Sequence, residues 1–158
     1  MKLCPCGYLG DASRTCNCSE PEVQRYRSRL SGPLLDRIDL HLTMSPVPLR
    51  QLGELEGAET SDAIRPRVES ARVRQRERYR GDARVRSNAQ ASGRTMLRTL
   101  AADARVLLDS AAESLALSAR AYHRVVKVSR TIADLAAEEK ISASHVAEAL
   151  RYRPHVAA

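Results

Sequence analysis

Tryptophan and phenylalanine are absent from this chain, and lysine nearly so: Lys2, Lys127 and Lys140 are the lysines among 26 basic residues. Without large aromatic rings the packing falls to Leu, Val, Ile and Ala, which favours helices in close axial approach over a large β-sandwich. The tyrosines, Tyr8, Tyr26, Tyr79, Tyr122 and Tyr152, are scattered, which argues against the stacking platform of a single-strand base reader. No stretch approaches the roughly 20 apolar residues that span a bilayer, and no charged leader followed by an apolar core opens the sequence. No membrane partner is therefore expected, and the cytoplasm is the expected compartment. The pattern Gly-x-x-x-x-Gly-Lys-Ser/Thr is also missing, and no apolar strand ending in paired acids precedes the cysteines. A phosphate-cradling loop and magnesium-holding carboxylates thus have no counterpart, so this chain by itself is expected not to hydrolyse ATP.

What is present is a 158-residue chain with 43% hydrophobic residues, enough for a modest core. Its formal charge of +7 is carried almost wholly by arginine. The planar guanidinium fork suits phosphate and carboxylate, so a polyanion such as nucleic acid or nucleotide is a fitting class of partner. The alternative is a proteome-wide preference for arginine with most of these side chains simply solvated.

Cysteine is concentrated in two tight pairs, Cys4-Pro5-Cys6 and Cys16-Asn17-Cys18. In a reducing compartment clustered cysteines are more often metal ligands than disulfides. Two Cys-x-Cys pairs with turn-forming residues between them can place four thiolates around one tetrahedral zinc, a closed structural site with no open position for water. The competing reading is a set of unligated or redox-active thiols.

Along the chain, Ser19-x-x-Glu22 is a capping box that predicts a short helix carrying Val23, Tyr26 and Leu30 on one side and stopping at Gly32-Pro33. Over 36–43 the apolar residues Ile38, Leu40 and Leu42 alternate with Asp39, His41 and Thr43, the period of a half-buried strand. Residues 44–62, rich in proline, glycine and acids, read as a connector. The expected organisation is residues 1–48 with the cysteines and the strand, a linker at 49–62, and a helical region at 63–158. The helical region is predicted to open with a helix over 65–80, with Val68, Ala71, Gln75 and Tyr79 on its apolar stripe and arginines over most of the rest. A shorter helix follows over 88–100, broken by Gly93. Another is predicted over 102–115 with Val106, Leu107 and Ala111 inward. The clearest is capped by Ser118 and keeps Ala121, Val125, Val128, Ile132 and Leu135 in a stripe; the last is capped by Ser142 and buries Val146, Ala149 and Leu150. His123, His145 and Asp109 have no nucleophile at a suitable spacing, so no catalytic base is assigned.

Arg37 stands at the start of the predicted strand, directly after Gly-Pro-Leu-Leu-Asp, where a loop edge can project a charge rigidly. Taken alone, Asp-Arg-x-Asp also describes a common surface ion pair. The run CPCGYLGD with its second cysteine pair, then QRYRSRLSGPLLDRIDLH, LSARAYHRVVKVSRTIADLA and HVAEALRYR, resembles the carboxy-terminal part of the magnesium-chelatase-like AAA+ ATPases. The likeness is to the competence-protein branch of ComM and YifB, and it covers essentially the whole chain.

That resemblance implies a mainly α fold: the end of an AAA+ α/β core with a four-cysteine knuckle, followed by a helical lid bundle. It implies that Arg37 is an arginine finger acting in trans on a neighbouring subunit's nucleotide, where such a cation contributes about 10³ to 10⁵ in rate in GTPases. It puts Arg120, in LSAR, at the sensor 2 position, with Arg124 one turn along as second choice; a surface salt bridge is the bland alternative for both. It implies a ring of identical subunits, a hexamer in the intact family member, sharing ATP and Mg²⁺ and moving DNA branches in recombination and natural transformation. The family reads Asn-Pro before the first Cys-Pro-Cys, with the asparagine as sensor 1. Lys2 and Leu3 occupy those places here, which suggests a fragmentary or mis-started product with Met1 inside the ATPase core. Two rivals stand beside this reading: a zinc-knuckle module with a basic helical domain that binds nucleic acid or protein, and a magnesium chelatase motor subunit.

Overall fold

Three helices are expected to start at capping serines, Ser19, Ser118 and Ser142, and the computed structural model shows those starts in place. It describes residues 2–11, 13–35, 37–44, 47 and 59–153. α1 (Glu20–Arg27) begins after Ser19, whose amide and hydroxyl both donate to the Glu22 carboxylate at 2.8 Å. α2 is a single turn, Gly32–Leu35. Gly32-Pro33, expected only to end a helix, opens this one, because proline's fixed φ and missing N–H suit a first helical turn. α3 (Ser61–Arg78) is capped by the Thr60 hydroxyl, which accepts from the Ala63 amide at 3.3 Å. This onset precedes the predicted residue 65 and leaves Pro66 inside the helix.

α4 (Gly93–Leu97) starts at the glycine expected to break it. α5 (Ala102–Ser114) and α7 (Ala143–Arg151) flank α6 (Ala119–Leu135), where the Ser118 hydroxyl accepts from the Ala121 amide at 3.1 Å. α6 and α7 carry apolar stripes at helical spacing, and α3, α4 and α7 all pack on α6, while α5 packs on α7. The core they enclose is built from Met96, Leu108, Val125, Val126, Ile141 and Val146, with Tyr79 and four alanines filling between. Val106, predicted inward, is 69% exposed; Ala104, Leu108 and Ala111 are the buried row of α5.

Of the strand expected over 36–43, the described residues 37–43 form none. Among the described residues the sole β pairing is an isolated parallel bridge between Leu100 and Ile141. Ile38, Leu40 and Leu42 are all exposed, and the His41 amide donates to the Tyr152 carbonyl at 2.8 Å. Alternation stabilises a strand only when one face is covered and the backbone is paired along a ladder. No described strand lies alongside to supply either.

The chain divides into two compact units. One holds the cysteine segment with α1 and α2, through Ile38; the other takes Asp39–Leu42 and the helices from α3 onward. Within the second, α6 carries a buried polar centre. Asp134 accepts from both terminal nitrogens of Arg78, from Asn88 Nδ2 at 2.8 Å and from Arg130 Nε at 3.2 Å. The Arg130 guanidinium also donates to the carbonyls of Glu139 and Glu138, at 2.5 and 2.6 Å, beyond the end of its own helix. Burial alone would raise the Asp134 carboxyl, but the bonds from Arg78 and Asn88 and the charge of Arg130 hold it below the usual carboxylate range.

Candidate functional site

Three groups of side chains carry chemistry, and each is described within its own unit. The first is the cysteine knuckle. Gly7 takes φ +86, a left-handed conformation that favours glycine, and so turns the chain back on Cys4. Its amide donates to Cys4 Sγ at 3.2 Å, and the Leu9 amide does so at 3.3 Å. The sulfurs of Cys4, Cys6, Cys16 and Cys18 all lie within 4.8 Å of one another, with Cys4–Cys6 at 3.4 Å, Cys6–Cys16 at 3.6 Å and Cys4–Cys16 at 3.7 Å. No disulfide joins them.

Four thiolates at about 2.3 Å from one tetrahedral zinc would stand about 3.8 Å apart, so the spacing fits a metal far better than a covalent pair at about 2.05 Å. The thiols also divide among themselves. The Cys6 thiol is drawn down to about 6, chiefly by a backbone hydrogen bond from Tyr8. Cys18 is pushed up to about 12 despite a backbone bond from Cys6, because its neighbouring sulfurs and partial burial favour the neutral form. Clustered thiolates repel, and a divalent cation is what lets all four ionise together. The four cysteines can therefore bind a metal ion.

The second is Arg37. It is exposed, in a turn directly after α2, with its amide donating to the Leu34 carbonyl at 3.0 Å. It projects from a helical turn rather than from the expected strand.

The third lies at the start of α6, in an open cleft of about 690 Å³ whose lining includes Arg94, Arg120, His123, Arg124 and Lys127. Arg120, Arg124 and Lys127 recur at i, i+4 and i+7, so one helical face carries all three. Sequence reasoning named the first two; that periodicity was the signal for Lys127. Arg94 had no such signal, because only the packing of α4 on α6 brings it there. The Lys127 ammonium donates to the Ala89 carbonyl at 2.8 Å, and Arg124 pairs with Asp39 at 2.5 Å. Gly93 lets the His123 ring approach closely, since a methyl group there would collide with it. The first turn of α6 contains no acid to complement the positive end of the helix dipole. Cations crowded at that end work against local stability and favour an anion instead.

The match to known proteins fits this layout. The model of the magnesium chelatase subunit ChlI C-terminal family covers residues 58–153, and that of the magnesium chelatase subunit ChlI family covers 1–52. This chain belongs to the magnesium chelatase family. It is 40% identical to the competence protein ComM of Haemophilus influenzae over 99% of its length and 30% of ComM's. It is 38% identical to the uncharacterized protein YifB of Salmonella typhimurium over 97% of this chain and 29% of YifB. With the uncharacterized protein Mb2921c of Mycobacterium bovis it shares 33% identity over 95% of this chain and 29% of that protein. The chain thus spans under a third of the length of these relatives and corresponds to the C-terminal part of ComM-like members of the magnesium chelatase family. Among the described residues, no helix is long and apolar enough to cross a membrane.

Proposed function

We propose that this chain is the part of a ring-forming AAA+ ATPase that addresses nucleotide with two arginines. Arg37 serves as the finger toward the nucleotide of an adjoining identical subunit, in a ring of six. Arg120, with Arg124 beside it, serves as sensor 2 toward the nucleotide of its own subunit. The observation that carries this reading is the set of cations around the start of α6, where Arg94, Arg120, Arg124 and Lys127 line one cleft. ATP with Mg²⁺ supplies the phosphoanhydride that the assembled motor cleaves. The guanidinium forks hold phosphate oxygens and offset the charge that develops on them. In this reading the domains follow residues 1–48, 49–62 and 63–158, and the protein works in the cytoplasm. Cys4, Cys6, Cys16 and Cys18 hold a structural zinc that fixes the knuckle and leaves no position for a reacting water.

The name of the H. influenzae relative points to competence. The work proposed for the whole assembly is ATP-driven DNA branch migration in recombination and natural transformation. A magnesium chelatase motor subunit is the second reading, favoured by the family match at both ends of the chain.

The test is to co-assemble the chain with the amino-terminal part of a ComM-like relative and measure ATP turnover on branched DNA. Arg37→Ala is expected to lower turnover by about 10³ to 10⁵ while nucleotide still binds, with Arg37→Lys rescuing poorly because a point charge lacks the fork. Arg120→Ala is expected to weaken nucleotide binding itself. Unchanged turnover by an Arg37→Ala assembly that still forms rings would remove the finger from the reading. Metal insertion into a porphyrin without any action on DNA would transfer the function to the chelatase class.

A further inference from the structure

The arginines of α3 and the turn after it look alike in the sequence, but the fold sorts all except the half-buried Arg74 into two sets. Arg65 pairs with Asp62, Arg67 with Glu59, Arg78 with Asp134 and Arg84 with Asp82. Arg72, Arg76, Arg80 and Arg86 are all exposed, and among the described residues no carboxylate lies within ion-pair reach of any of them. These four line one open cleft of about 450 Å³.

The placement has local causes. Ala71, Gln75 and Tyr79 form the buried edge of α3, so Arg72 and Arg76, each one residue on, emerge together beside it. Four residues of helix separate their Cα atoms by about 6 Å along the axis. Arg80 continues the row just past the helix end. Arg86 returns from the following loop, held by its amide donating to Gln90 Oε1 at 2.7 Å. The acid in the cleft, Asp82, accepts from the Arg84 amide at 3.0 Å and from Arg84 Nε at 3.3 Å, so its charge is already offset. Four like charges brought together without counterions cost free energy unless a polyanion supplies them.

We propose that this cleft binds the sugar–phosphate backbone of nucleic acid, without reading its sequence. Guanidinium forks engage phosphate oxygens in pairs, and each neutralised phosphate releases condensed counterions. The cleft offers no aromatic face on which a base could stack. Its aromatic residue, Tyr79, is buried, and the Tyr79 hydroxyl donates inward to Asn88 at 2.8 Å. The site is separate from the cations at the start of α6 and gives the DNA partner of the proposed motor a place to bind, so it rests on that reading for its biological use.

The test needs neither ATP nor an assembled ring. Binding of the chain to a mixed-sequence DNA duplex is followed by fluorescence anisotropy between about 50 and 200 mM salt. Four phosphate contacts predict a log–log salt slope of about −3 to −4. The variant R72Q/R76Q/R80Q/R86Q is expected to lose about 3 of that slope and more than about tenfold in affinity at 100 mM salt, while its thermal melt stays unchanged. The variant R65Q/R67Q/R84Q, which removes paired arginines, is expected to change affinity less than about threefold. Should the fourfold variant fold poorly, Arg76→Gln alone is expected to reduce the slope by about 1. Equal binding by the fourfold variant, no binding by the parent chain at about 50 mM salt, or displacement of DNA by polyglutamate at equal charge would each overturn the proposal. Unchanged ATP turnover in Arg37→Ala and Arg120→Ala assemblies, with DNA binding intact, would count against the finger and sensor assignments and leave this cleft standing.

Discussion

At the scale of single residues, Asp134 is the charged group that joins three parts of the second unit. It ties Arg78 at the end of α3 and Asn88 in the following loop to Arg130 on its own helix. Arg130 is fully buried, and its own pKa is lowered by that burial. Removing the shared carboxylate leaves guanidinium charge with no ionic partner in the interior. Asp134→Asn is therefore expected to cost about 3–5 kcal/mol in urea-induced unfolding, the range for a broken buried pair. The pH dependence follows from the same group. A carboxyl whose folded pKa is depressed contributes its stabilisation above its unfolded value of about 3.9 and loses it as pH falls through the lower folded value. Melting temperature should thus fall steeply in the parent chain below about pH 4 and less steeply in Asp134→Asn; parallel curves would show that the acid loss arises elsewhere.

At the scale of elements, α5 shows how an apolar pattern can be read in the wrong register. Its sequence, ADARVLLDSAAES, has apolar residues on most of its circumference, so spacing alone admits more than one inward face. Packing against α7 selects Ala104, Leu108 and Ala111 and turns Val106 to solvent. Leu108→Ala is expected to destabilise by about 2–5 kcal/mol, as a cavity in a closed core does. Val106→Ala should stay within about 0.5 kcal/mol. Chemical denaturation of both variants checks the register, and reversed costs would restore the predicted face. The caps behave differently. Ser19 with Glu22, Ser118 and Ser142 mark the starts of α1, α6 and α7 because a cap satisfies amides within a few residues and needs no distant partner.

At the scale of the whole molecule, the two units are held by different means. The helical unit has a hydrophobic core; α1 and α2 bury no residue fully, and the knuckle has Cys4 as its buried centre. A segment with so little core depends on a metal or an equivalent staple for its order. Zinc is expected at one ion per chain. Its removal by chelation is expected to abolish amide-exchange protection in the cysteine segment while the melt of the helical unit remains, and affinity should weaken as pH falls because the thiols must ionise. Protection that survives full chelation would show that the knuckle holds its fold through its backbone bonds to Cys4 alone.

Most of the helical architecture and the cysteine set were legible in the sequence, because helix caps, 3.6-residue stripes and clustered thiols are written over short spans. The strand over 36–43 was misread for the opposite reason: Ile38, Leu40 and Leu42 carry the alternation, but strand formation depends on a paired neighbour, which local sequence cannot report. Arg120 and Arg124 were found through motif and spacing. Arg94, and the joining of Arg78 and Asn88 to the Arg130–Asp134 pair of α6, required the chain to fold, since those residues lie tens of positions from their partners. The sequence by itself determined where the serine-capped helices begin, which residues can bind a metal, and that the chain is rich in arginine. Only the tertiary structure decided which guanidiniums have a carboxylate beside them and which do not, because charge is a property of each residue whereas neutralisation depends on what packs next to it.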